Sequence, residues 1–284
     1  VSLRSDCSLV VTDLDGTLLD EETYDMAPAK AGLDALRAHR LDLVLCSSKT
    51  RAEMEPLAEE LGFQALLIVE NGGAVVLPAG LLPRLPPGAH REDEQVVIPL
   101  GTPRSSLVAA LPEVAREAGV AVRGFAEMTL GEVAALTGLE RPAAERALRR
   151  EWDEPFLVGR EAGAGVDQRL QDAARRRGLR VTSGGRLHHL TGPTDKGRAL
   201  EALLRLLPRD PHGHTVGLGD AANDLPMLQA VDRPIVMPDK AGDVDPALAS
   251  ALPGAERAPG PGPAGWAKAV RAVLAGDRLP RVAP

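Results

Sequence analysis

Short apolar runs recur along the chain, separated by stretches with helical periodicity. "CSLVVTD" (7–13), "LDLVLCS" (41–47), "ALLIVEN" (65–71), "HTVGLGD" (214–220) and "PIVMP" (234–238) are dominated by β-branched residues and leucine. Runs of this length with no polar face predict strands buried on both sides, as in a parallel sheet. Between the first two, "APAKAGLDALRAHR" has the spacing of an amphipathic helix. "TRAEMEPLAEELG" opens with a capping box, Thr50 and Glu53, and contains Pro56, which predicts a kinked or delayed helix. Strand–helix alternation with short loops predicts a doubly wound, Rossmann-like α/β core.

The pattern breaks after "GGAVVLPAGLL". From about Pro83 to about Gly185 four helical stretches alternate with "VAVRGF", "EPFLVG" and "LRVTSG", which read as strands. Two helices and then a strand, repeated, suit an antiparallel sheet with helices on one face. The expected organisation is a core of residues 1–83 and 186–284 with an α+β unit, 84–185, inserted into it. The parent pattern is expected to resume at "RLHHLTGPTDKGRALEALLRLL". "APGPGPAG" (258–265) is a stiff segment before a last short helix, and Trp266 behind it reads as a packing anchor.

Composition narrows the field. A chain of 284 residues is long enough for two domains. Its net charge of −7 argues against generic binding to nucleic acid or to an anionic membrane. No apolar run is long enough to span a bilayer. The N-terminus leads almost directly into a strand, which predicts no signal peptide and a cytoplasmic location. Cys7 and Cys46 lie beside apolar strand residues without metal-ligand spacing, so both read as buried thiols. Only five of the 33 basic residues are lysines. Richness in Arg and Pro fits a GC-rich genome, thermal adaptation or both, and the scarcity of lysine draws attention to Lys49 and Lys196.

Four loops carry chemistry at strand ends, where α/β sheets collect ligands. In "DLDGT", Asp13 ends a strand and Asp15 follows one turn later. A carboxylate can attack a phosphoryl group, and a second can serve as general acid and base. Gly16 and Thr17 supply the tight turn. In "CSSKT", Ser47 is placed to bond a phosphate oxygen beside backbone N–H groups, or simply to cap the next helix. In "PTDKG", Thr194 reads as the N-cap, which puts Lys196 in the first helical turn against the helix dipole. A lysine there suits neutralisation of a carboxylate and a transferring phosphoryl group. In "GLGDAANDLPML", Asp220 is a hard oxygen ligand suited to Mg2+, beside Asn223 and Asp224. Asp224 is expected to orient Lys196 or to cap the helix. The order DxDGT, SS, K, GDxxND is far more specific than any one loop. Two neighbouring carboxylates at a strand mouth are explained if a divalent cation and a phosphate sit with them.

These four loops resemble those of the haloacid dehalogenase superfamily of phosphotransferases. The insertion between "ENGG" and "DKG" looks like the α+β cap of its sugar-phosphatase branch. "CSSKTRAEM", "VENGG", "EMTLGEVAALTGL", "DEPFLV", "GGRLHHLTG" and "PGPAGW" are similar to the mannosyl-3-phosphoglycerate phosphatase family. Ser47–Ser48–Lys49 stands where commoner relatives carry Thr-Gly-Arg, which favours that narrower assignment. The resemblance implies Asp13 as nucleophile, Asp15 as general acid/base, Ser47 and Lys196 as phosphate ligands, and Asp220 with Asp13 and the Asp15 carbonyl on Mg2+. Its substrate would be a small phosphorylated sugar-glycerate.

Expected substrate contacts are Ser48, Lys49 and Arg51, of which Lys49 and Arg51 are suited to a carboxylate beside the phosphate. Asn71 and Gly72 of "ENGG" join them as a close backbone approach or a hairpin turn, with Asn223, and with Glu127 of the insert for sugar hydroxyls. His188 and His189 are adjacent on a strand, so at most one of them faces the site, and a satisfied core or surface histidine is the expected reading of both. Two other readings stay open: a sugar-phosphate phosphatase of broader specificity, and a catalytically silent phosphate-binding regulatory module.

Overall fold

A computed structural model describes residues 7–159, 161, 163–184, 187–207 and 213–282. Its strands are β1 (Cys7–Thr12), β2 (Asp42–Cys46), β3 (Leu66–Val69), β4 (Ala74–Pro78), β5 (His90–Glu92), β6 (Gln95–Pro99), β7 (Val122–Gly124), β8 (Asp153–Val158), β9 (Arg180–Gly184), β10 (Leu187–Thr191), β11 (His214–Gly219), β12 (Arg233–Val236) and β13 (Glu256–Arg257). Its α-helices are α1 (Lys30–His39), α2 (Arg51–Leu61), α3 (Arg104–Ala118), α4 (Leu130–Thr137), α5 (Arg141–Ala147), α6 (Val166–Arg175), α7 (Lys196–Leu206), α8 (Leu225–Gln229), α9 (Pro246–Ala251) and α10 (Gly262–Leu274).

The large sheet has the order β13-β12-β11-β1-β2-β3-β4-β6-β5. From β13 to β3 every pairing is parallel, and β4, β6 and β5 extend the sheet antiparallel. The apolar runs are continuous because alternate residues face two different cores. Val10, Leu43, Leu45 and Leu67 pack with residues of α1, α2 and α10. Leu9, Val11, Val44 and Ile68 pack with residues of α7, α8 and α9 on the other side. This two-sided burial is what forces parallel strands and helical crossovers.

A second sheet, β7-β8-β10-β9, is antiparallel throughout. Apolar residues of α3 and α6 pack against Phe156, Val181 and Leu190 on one of its faces. The other face looks toward the large sheet. Residues 90–99, placed by the sequence in the insert, pair within the large sheet, and residues 187–191, placed in the core, pair within the small one. The expected boundary at 185/186 lies outside the described residues. The chain passes between the sheets at two adjacent points. The N–H groups of Leu100 and Gly101 donate to the Gly73 carbonyl, and a Cβ on Gly192 would sit 2.6 Å from the Thr102 nitrogen.

Local expectations fare unevenly. The Thr50–Glu53 capping box forms as read, but α2 runs through Pro56 without a break. Asp195, not Thr194, caps α7, its side chain accepting from the Arg198 N–H, while Thr194 Oγ1 donates to the Gly72 carbonyl at 2.9 Å. Trp266 is fully buried, with Nε1 donating to Thr12 Oγ1 at 3.0 Å, which anchors α10 beneath β1. Cys46 is buried, and the Cys7 side chain lies outside the described residues.

Candidate active site

Asp13, Ser47, Glu70 and Asp220 each follow the carboxyl end of a neighbouring strand, β1, β2, β3 and β11 respectively. The Asp13 N–H donates to the Leu218 carbonyl at 2.9 Å, which fixes the nucleophile loop to β11. Lys196 arrives from the opposite side, at the first residue of α7, and is almost completely buried. Its Nζ lies 2.6 Å from Asp13 Oδ1 and 2.5 Å from Asp224 Oδ1. The other Asp224 oxygen accepts the N–H groups of Asp220 and Ala221 at 3.0 and 3.1 Å. Thr17, read as a turn residue, also donates its hydroxyl to Asp220 Oδ1 at 2.8 Å.

Carboxylate oxygens of Asp13, Asp220 and Asp224 lie within 4.8 Å of one another. Among the described residues one ammonium, that of Lys196, bonds to this cluster. Burial, then the Asp224 charge, pushes the Asp13 carboxyl well above its usual range. Burial and Asp224 likewise lift Asp220 to about 7. Burial opposes the charge on Lys196, yet Asp13 and Asp224 hold its ammonium well above the ordinary value. Asp224 is fully engaged, whereas Asp13 and Asp220 converge with negative charge that Lys196 alone does not neutralise. A hard divalent cation fits this donor set.

Gly16 makes the convergence possible. Its φ of +77° is left-handed, and a Cβ there would lie 2.6 Å from Asp220 Oδ2.

Above the carboxylates is a cavity of about 530 Å³, walled by both sheets' loops. Asp13, Asp15, Ser48, Lys49, Asn71, Asp220 and Asn223 line it from the core. Lys49 Nζ sits 2.9 Å from Asp15 Oδ2 and over the Tyr24 ring. Burial works against its charge, but Asp15 and Glu53 hold the ammonium above its ordinary value. Asp15 Oδ1 has no hydrogen-bond partner among the described residues. Asn223 Nδ2 donates to Asn71 Oδ1 at 3.3 Å. Ser47 is buried at the strand end, its Oγ accepting the Lys49 N–H at 3.2 Å.

Three expected substrate contacts sit elsewhere. Arg51 is taken by Glu55, at 2.5 Å, and by Glu92. Glu127 lines a separate small cavity with Leu111 and Glu154. Gly72, at φ +91°, packs its backbone against Asp195, where a Cβ would lie 2.2 Å from the carbonyl oxygen. Its bareness serves the seating of α7, and hence of Lys196.

The insert supplies a charged wall residue absent from the expected contacts, Arg150, and one of the two candidate histidines. Arg150 lines the cavity, and His189 does so too, while the neighbouring His188 turns away and stacks on Phe156. Glu70 is fully buried, and its carboxylate accepts the N–H groups of Glu151 and Trp152 at 2.9–3.1 Å. Thr50 Oγ1 donates to the Arg146 carbonyl at 3.0 Å. Residues 146–152 are thus docked on the core beside the site.

Comparison with known proteins agrees with this architecture. Residues 10–80 match the haloacid dehalogenase-like hydrolase family. A glucosyl-3-phosphoglycerate/mannosyl-3-phosphoglycerate phosphatase of Methanococcoides burtonii is 35% identical over 263 residues, 92% of this chain and 95% of that one. A protein of the same name from Persephonella marina is 34% identical over 94% of this chain and 97% of its own. A haloacid dehalogenase-like hydrolase structure from Bacteroides thetaiotaomicron superposes with a TM-score of 0.64 at 18% identity, covering 94% of this chain and 98% of that one. Relatives this similar over almost the whole chain decide the family: this chain belongs to the haloacid dehalogenase-like hydrolases, within the mannosyl-3-phosphoglycerate phosphatase family.

Proposed function

We propose that the chain is a Mg2+-dependent phosphomonoesterase that hydrolyses mannosyl-3-phosphoglycerate to mannosylglycerate and inorganic phosphate. The observation that carries this reading is the meeting of Asp13, Asp15 and Asp220 at one cavity, with Lys196 buried behind Asp13, although they come from distant parts of the chain.

In the first half-reaction an Asp13 carboxylate oxygen attacks phosphorus and the ester P–O bond breaks. Asp15 gives its proton to the departing alkoxide oxygen. In the second, Asp15 takes a proton from water, whose oxygen attacks the phosphorus of the aspartyl phosphate and releases phosphate and the Asp13 carboxylate. Lys49 fixes one oxygen of Asp15, which leaves Oδ1 as the proton-carrying atom. Lys196 holds Asp13 in position and offers positive charge to the transferring group. Asp13, Asp220 and the Asp15 carbonyl would hold the cation. When bound, Mg2+ supplies the charge that keeps both carboxylates ionised and neutralises phosphoryl oxygens. The insert, taken as the unit between the crossings near Gly101 and Gly192, would exclude water from the cavity.

Release of phosphate from mannosyl-3-phosphoglycerate, its glucosyl analogue and a panel of plain sugar phosphates tests this. Preference for the glycosylated phosphoglycerates by at least about tenfold in kcat/KM, with none in Asp13→Asn, is the expected result. Equal rates across the panel would indicate the broader phosphatase, and binding without phosphate release the silent module.

A further inference from the structure

The phosphate-facing cations of the core are already paired. Lys196 is held between Asp13 and Asp224, and Lys49 sits on Asp15. Arg51, the residue suited by sequence to a substrate carboxylate, is committed to Glu55 and Glu92. Arg150 also has an anionic partner, Asp153, but keeps one donor without an acceptor among the described residues. Its side chain is only 8% exposed and lines the same cavity. Nη1 donates to the Ser48 carbonyl at 3.0 Å and to Asp153 Oδ2 at 3.1 Å. Its buried Nε has no hydrogen-bond partner among the described residues.

Asp153 explains why the guanidinium stays there. It is fully buried at the head of β8, and its Oδ2 also meets His189 Nδ1 at 2.8 Å. In the antiparallel register Asp153 pairs with Thr191 and Pro155 with His189, which puts Asp153 and His189 diagonally on one face. One carboxylate therefore orients two cavity-lining nitrogen groups. An arginine buried with an unused donor is costly unless something accepts from it, and its planar fork matches a carboxylate. The Ser48 contact places this fork one residue from Lys49 and the Asp15 wall. Asp13 and Arg150 line the same cavity, so a molecule whose phosphate rests on Asp13 can extend its other groups toward Arg150.

We propose that Arg150 binds the substrate's carboxylate, with Asp153 as its positioning residue, so that the cavity takes phosphomonoesters carrying a carboxylate beside the phosphorylated carbon chain. This rests on the phosphatase reading and assigns the acid group, not the sugar, to the Arg150 wall.

The test uses p-nitrophenyl phosphate as the reporter substrate in the full-length protein with Mg2+. The inhibition constants of 3-phosphoglycerate and glycerol 3-phosphate are compared, since this pair differs only in carboxylate against hydroxymethyl. The wild type is expected to favour 3-phosphoglycerate by about 10- to 100-fold, and Arg150→Gln to bring that ratio close to one. Arg150→Lys, which keeps the charge without the fork, should retain a small preference, and Asp153→Asn should lower it. A merely structural Arg150 would weaken both inhibitors alike and leave the ratio intact. That result, or a wild-type ratio near one, overturns the proposal; should Arg150→Gln not fold, the Arg150→Lys ratio decides. A collapse of the ratio in a protein with no preference for glycosylated phosphoglycerates would retain Arg150's role and discard the substrate named above.

Discussion

Lys196 Nζ lies 2.6 Å from Asp13 Oδ1 across 183 positions of sequence, in a place closed to solvent. The same ammonium holds Asp224, so one side chain ties the nucleophile loop to the loop that follows β11. Replacement by methionine leaves two buried carboxylates without a counter-charge. Lys196→Met should cost about 3–5 kcal/mol of stability and at least a thousandfold in turnover. Urea denaturation and phosphate release measure the two effects, and a variant of normal stability would contradict the buried-pair argument.

Thr17 is fully buried and is not among the cavity-lining residues, yet its hydroxyl fixes Asp220. Thr17→Val should raise the Mg2+ concentration for half-maximal activity by about 10- to 100-fold while saturating Mg2+ restores much of the rate. A chelator should silence both proteins reversibly. An unchanged Mg2+ titration would show that Asp220 needs no such support.

Gly16→Ala acts on the same carboxylate from the other side. A Cβ at φ +77° brings left-handed strain of about 1–2 kcal/mol and a 2.6 Å approach to Asp220 Oδ2. Thermal melts should show the loss, and Mg2+ affinity should fall with it. A melt that stays put while Mg2+ affinity drops would separate the carboxylate displacement from backbone strain.

Glu70 links stability to pH. Burial lifts its carboxyl from 4.5 to about 7, against the Arg150 charge and the two N–H groups that favour its ionised form. Between those values the folded chain keeps a proton that the unfolded chain has lost. Its contribution to stability is therefore complete below pH 4.5 and disappears as pH rises through 7, on the order of 3 kcal/mol. Glu70→Gln should flatten that part of the stability profile. Urea melts at several pH values check it, and parallel profiles for the two proteins would refute it.

Much of the core was readable from local signals. Doubly buried strands and the aspartate, lysine and aspartate loops announce themselves within a few residues, because period and strand-end position are local properties. The antiparallel extension β4-β6-β5 was not legible, since its edge strand β5 is three exposed polar residues, "HRE". The sequence places β10 with the core, whereas it pairs within the small sheet, because five residues, "LHHLT", carry no mark of the strand they pair with. Arg150 hid in "RALRREW", where nothing separates it from Arg149. The clue was Asp153, an acid at the head of a buried strand three residues on, which needs a buried partner. Thr17 reads as a turn residue, and Glu70 draws no separate reading within "ENGG", because their functions lie in contacts with Asp220 and Trp152, far along the sequence.

The docking of residues 146–152 onto the loops at Ser48, Thr50 and Glu70 has a further consequence. Arg150 is anchored to the loop that also carries Lys49, so the span from Asp13 to its guanidinium is set by the core loops. That span works as a fixed gauge for the spacing between two anionic groups on one molecule. Positional isomers differing by a single carbon between those groups should be told apart by that spacing alone.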